Sequence, residues 1–153
     1  MKKIIPLTAP ILFLAFGFFL IGQVLPKSLM DQWEDVESEI KKGLPKTAIE
    51  KIDPLIKQAL KDGSHAVAIR AICQKINLEG AIQGNKAEEK IARLEEEITK
   101  APEALKPMMR AVLSNWYWQY FQQNRWRFAQ RTRTAEAPGE DITTWDLPRI
   151  LAE

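Results

Sequence analysis

The sequence predicts an all-α fold of antiparallel helical hairpins, tetratricopeptide-like (TPR-like), with about five helices. Two observations predict it, and a third limits it. Apolar residues recur at helical spacing almost without pause from Ser28 to Arg131. Connections such as Gly43-Leu-Pro45 and Asp62-Gly-Ser64 are too short for anything but chain reversal. No clean 34-residue repeat accompanies them, so the likeness to TPR arrays is one of pattern only. Three regions follow: 1–27 as a signal peptide or membrane anchor, 28–133 as the helical-hairpin domain, and 134–153 as an extended linker.

The first helix is expected from about Leu29 to Lys42. Leu29, Trp33, Val36 and Ile40 share a face, Ser28 is the N-cap and Gly43 the stop. Ala48, Ile52, Leu55, Ile56 and Ala59 line a second helix ending at Asp62-Gly63, with Pro54 inside it to kink or divide it. Ser64 caps a third, from about His65 to Leu78. Its apolar positions cover more than one stripe, as in a helix packed between two others. Gly80 and Gly84 bracket the next connection. The fourth helix, about Lys86 to Lys100, sets Ala87, Ile91, Leu94 and Ile98 opposite Glu88, Glu89, Glu95 and Glu96. Pro102 and Pro107 mark the start of a fifth and longest helix. Beyond Arg133 the helical period is lost. Residues 142–148 read as an extended segment leaving the bundle, pinned by Trp145, and the sequence reads as cut off at Glu153.

The N-terminus carries a targeting signal. Lys2 and Lys3 precede an apolar run from Ile11 to Leu25. Residues 4–25 just reach the length of about 20 that an anchor needs, so cleaved signal and membrane anchor both stand, with cleavage favoured. Both readings put the chain outside the cytoplasm, in the periplasm or cell envelope. With Lys2, Lys3 and Lys27 set aside, 22 basic residues fall to 19 against 20 acidic ones. A near-neutral remainder gives no reason to expect a nucleic-acid partner.

Catalytic chemistry is not legible. His65 and Cys73 are the only thiol–imidazole pair. Eight positions along one helix set them about 12 Å apart, beyond hydrogen-bond reach. Cys73 reads as a small core residue and His65 as a first-turn surface residue. One histidine and one cysteine make no soft-metal site. Neither a P-loop nor a GxGxxG or GxSxG pattern occurs, so neither cofactor nor enzyme activity is expected.

Residues 115–128 hold seven aromatics and two arginines, and no acid occurs from Ala104 to Ala135. On a helix, Trp116 and Tyr120 form one ridge and Tyr117 and Phe121 another, broadened by Trp118 and Trp126. With Trp145 these are the candidate core or interaction surface. The favoured reading is a final helix whose rings close the groove of the preceding hairpins. The alternative is a platform stacking on sugar or single-stranded nucleic acid, with Arg125, Arg127, Arg131 and Arg133 on phosphates. Cations at a helix C-terminus also suit its dipole, which argues against that role.

Taken in order, Trp33, Gly43-Leu-Pro-Lys-Thr-Ala48, Asn115-Trp-Tyr-Trp-Gln-Tyr-Phe121, Asn124-Arg-Trp126, Arg131-Thr132 and Thr144-Trp-Asp-Leu147 resemble a known segment. It is the helical N-terminal part of bacterial alpha-2-macroglobulin-like envelope proteins of the Bacteroidetes type. The resemblance implies export and a share in a protein that traps proteases, as an endopeptidase inhibitor, or binds other proteins. Its partners would be downstream modules of the same polypeptide and proteases. Such proteins often carry a Cys-Gly-Glu-Gln thioester. Here Cys73 is followed by Gln74 and Lys75 and does not match it. The alternative is a free-standing, membrane-anchored TPR-like scaffold for protein interaction.

Overall fold

A computed structural model describes residues 27–130 and 139–153. The apolar segment 4–25, Arg131 and Arg133 lie outside the described residues. Among the described ones there are helices and no strands: α1 (Leu29–Lys41), α2 (Pro45–Lys61), α3 (His65–Ile82), α4 (Ala87–Lys100), α5 (Lys106–Gln123), α6 (Arg125–Gln130) and α7 (Leu147–Ala152), with a 3-10 turn at Ile142–Thr144. None of them is long and apolar enough to cross a membrane.

Local chemistry sets the ends of the first three helices. Ser28 and Asp31 form a reciprocal capping box at the start of α1. At its end Gly43 takes φ 73°, Gly43 N–H donates to Ile40 and Leu44 N–H to Glu39, the Schellman pattern. Gly63, at φ 67°, repeats this after α2, with Ser64 N–H on the Ala59 carbonyl. Pro54 does not divide α2, which runs unbroken for 17 residues. The proline is exposed, so the carbonyl that loses its donor lies on the solvent side.

The third helix runs four residues past its expected end, through Gly80 to Ile82. Its stop is Gly84, at φ 101°, with Asn85 N–H reaching the Gly80 carbonyl at 2.6 Å. Gly80 is therefore not part of the connection. It lies buried where α4 crosses, and a Cβ there would sit 2.6 Å from Cε of Lys90. Gly80 is a buried helix-interior position beside the flexible Lys90 side chain, not a turn residue.

Each helix from α1 to α5 packs on its chain neighbour, so the short connections make successive hairpins. Three apolar clusters follow one another along the stack. Trp33, Val36, Ala48, Ile52 and Leu55 meet Ala71 and Leu78 of α3 in the first. The other side of α3, with Ala68, Ile69, Ile72 and Ile76, joins Leu94, Ile98, Leu105 and Met109 in the second. The two-sided helix expected from the sequence is thus sandwiched as its pattern requires.

The third cluster differs from expectation. Residues 139–153 do not leave the bundle as an extended segment. Ile142, Trp145 and Ile150 are buried against Ile91, Tyr117, Tyr120 and Phe128. The cause is local. Asp141 caps the 3-10 turn through Thr143 N–H at 2.9 Å, and Asp146 caps α7 through Arg149 N–H at 3.0 Å, with Pro148 in the first turn. Trp145 is the pin: it is 2% exposed, and its indole N–H donates to the Gly139 carbonyl at 2.7 Å.

Candidate interaction surface

The aromatic block is not one continuous helix. Asn124, at φ −111° and ψ 15°, ends α5. Its side-chain amide donates to the Tyr120 carbonyl at 2.9 Å, and its own carbonyl accepts from Arg127 and Phe128 to begin α6. One residue therefore closes one helix and opens the next. The break turns Phe128 inward, to 1% exposure.

The seven candidate residues separate into two faces. Tyr117, Tyr120 and Trp145 are buried, and Trp116 and Phe121 are half-buried. Trp118 is 53% exposed and Trp126 is 65% exposed. The inner rings interlock. Tyr117 and Trp145 have centroids 5.5 Å apart, Tyr120 meets Phe128 edge-on at 6.2 Å, and Phe121 lies 5.7 Å from Phe128. Trp118 is tied to this set only through Phe121, at 5.5 Å. Trp116 packs beside the cluster holding Ile72, Ile76, Leu94 and Ile98. Tyr117 and Tyr120 close instead on Ile91 and the C-terminal residues.

Polar partners missed at the sequence level hold the inner face. Arg127 lies 5.7 Å from the Tyr120 ring centre and donates to the Tyr120 hydroxyl at 2.6 Å. It points into the fold, so of the two arginines within the block only Arg125 remains exposed. Arg149 sits 4.6 Å over the Trp145 ring and pairs with Glu153 at 2.7 Å. The Tyr117 hydroxyl donates to Glu95. Burial first, then that carboxylate, pushes the Tyr117 pKa well above the usual phenol range. Tyr117 is thus a neutral donor inside the domain.

Elsewhere, a cleft of about 440 Å³ lies over α3 between α2 and α4. Its floor is Ile72 and Ile76. Lys75 pairs with Asp53 of one wall at 2.6 Å, and Glu79 with Arg93 of the other at 3.0 Å. These pairs balance the charge of the cleft and tie both walls to its floor. His65 and Cys73 sit on α3 as expected. Cys73 is a half-buried free thiol against the core, and burial pushes its pKa up, away from thiolate chemistry. Among the described residues no group of His, Cys, Asp and Glu could hold a metal ion.

No known protein family matches this chain, and no curated protein or solved structure is significantly similar to it.

Proposed function

We propose that the chain is an exported, non-enzymatic helical module acting through protein contacts, the leading part of an alpha-2-macroglobulin-like envelope protein. The observation that carries the contact surface is the outward placement of Trp118 and Trp126, beside an inner face that is fully used. Tryptophan is enriched at protein contacts relative to the rest of the surface. The resemblance of the aromatic block and of Thr144-Trp-Asp-Leu147 supports the family reading. The covering partner is then a downstream module of the same polypeptide. Trapping of a protease belongs to the assembled protein, not to this module alone.

The test is binding in trans. The full chain, in detergent micelles, is titrated with the protein encoded directly downstream of Glu153. The reading expects saturable binding that a Trp118→Ala, Trp126→Ala double variant abolishes while its melting point holds. Binding unaffected by the double variant, or no binding, contradicts it.

A second reading is a free-standing, membrane-anchored scaffold, favoured by the cleft between α2 and α4. A stop codon directly after Glu153 would support it over the first.

A further inference from the structure

The recess between the end of α3, the start of α4 and the C-terminal half of α5 has a lining unlike that of the α2–α4 cleft. Its volume is about 170 Å³, roughly five or six waters at about 30 Å³ each. That is room for one sugar ring, and less than a drug-sized ligand fills. Asn77, Asn85, Gln119 and Gln123 line it, with Lys90 and Trp116, and no carboxylate does. The α2–α4 cleft, by contrast, is lined by Asp53, Glu79, Glu96 and Glu97.

Most polar groups of the recess are uncommitted; the Tyr120 hydroxyl, which also lines it, accepts from Arg127. The side chains of Asn77, Asn85, Lys90 and Gln123 make no hydrogen bond or ion pair to a described residue. Gln119 donates to Asn115 at 2.7 Å and keeps its carbonyl oxygen free. The indoles of Trp33 and Trp145 donate to Glu37 and to the Gly139 carbonyl. Trp116, half-buried at the recess, has no such acceptor among the described residues.

We propose that this recess binds an N-acetylated sugar. A carboxamide presents both donors and an acceptor, the pairing that sugar hydroxyls and an acetamido group require. An indole offers an apolar body beside a polar N–H, suited to the C–H face of a pyranose. Ala87 and Ile91, which line the recess with the Tyr120 ring, provide apolar contact for the acetyl methyl. A carboxylate ligand is disfavoured by the excess of amides over cations. An extended peptide needs a groove with successive pockets, which a recess of this size does not supply. The proposal is independent of the contact surface at Trp118 and Trp126.

The experiment uses the full chain in micelles of a detergent without a sugar headgroup. The indole N–H signals are followed by two-dimensional NMR, with Trp116 assigned by its loss in Trp116→Phe. The probe is the trisaccharide of N-acetylglucosamine, and N-acetyl-trialanine amide is the peptide control. The expected result is a saturable shift of the Trp116 indole with the saccharide at up to millimolar concentration. Asn77→Ala and Gln123→Ala should each weaken binding about threefold to tenfold, without moving the melting point, since both side chains are exposed. No saturable shift at Trp116 would overturn the proposal. So would a shift indifferent to both substitutions, or one produced by the peptide and not the saccharide.

Discussion

The rings of Tyr117 on α5 and Trp145 in the C-terminal segment stack with centroids 5.5 Å apart and an interplanar angle of 31°. This contact joins residues 139–153 to the hairpin stack, and Arg149 of α7 lies 4.6 Å over the Trp145 ring. Both residues belong to the candidate surface, and both are committed to the core. The surface left for a partner is correspondingly smaller: Trp118, Trp126 and the exposed Arg125.

Trp145→Ala should release the C-terminal segment. Truncating a fully buried Trp costs about 3–5 kcal/mol, but a segment this short is held locally and can detach without global unfolding. Hydrogen exchange is the measurement. Amides of α7 should lose protection while those of α2 and α3 keep theirs. Uniform loss across the chain would mean that the segment belongs to the global cooperative unit.

Cys73 should react slowly. Its thiol is half-buried and its pKa is raised by burial. At mildly alkaline pH the native chain should label with a maleimide far more slowly than the urea-unfolded chain. Equal rates would show the α3 thiol to be open to solvent.

Hairpin α1–α2 should weaken in acid. Glu39 bridges Lys51 of α2 at 2.6 Å and Lys42 at 3.2 Å. The hydrogen bond from Lys51, then that from Lys42, holds its carboxyl below the ordinary value of 4.5. A carboxyl whose folded pKa is depressed contributes stability above its unfolded pKa and loses it as pH falls through the folded one. Melting points of the wild type should therefore fall below about pH 4.5, and Glu39→Gln should remove part of that dependence. A variant with the full acid slope of the wild type would show that the bridge contributes nothing.

Much of the stack was legible because its ends are written in short-range chemistry. Ser28, Gly43 and Gly63 act within a turn of their own position, and the apolar periods of α1, α2 and α4 are clean. Three features were not legible, each for a physical reason. Gly80 has the same identity as a stop glycine, and nothing in that identity says that α3 continues through it to Ile82. Asn124 breaks the aromatic block without Pro or Gly, through a side-chain bond to a carbonyl. Helix α7 is six residues long, too short for a period, and its Asp146 cap and first-turn Pro148 sit in a segment that reads as extended. The direction of each ring within the block was also hidden. When every side of a helix is aromatic, periodicity cannot say that Tyr117 turns in and Trp118 out.

That division of the aromatic block is the central claim, and paired thermal melts test it most directly. Tyr120, 3% exposed among Ile91, Phe128 and Trp145, should cost about 3–5 kcal/mol on truncation to alanine. The midpoint should then fall by about 10 °C or more in a domain of this size. Trp118→Ala and Trp126→Ala remove exposed rings and should stay within about 0.5 kcal/mol of the parent. A steep fall for Tyr120→Ala with unmoved midpoints for the two tryptophan variants is the predicted result. Comparable falls for all three, or no fall for Tyr120→Ala, would contradict the account.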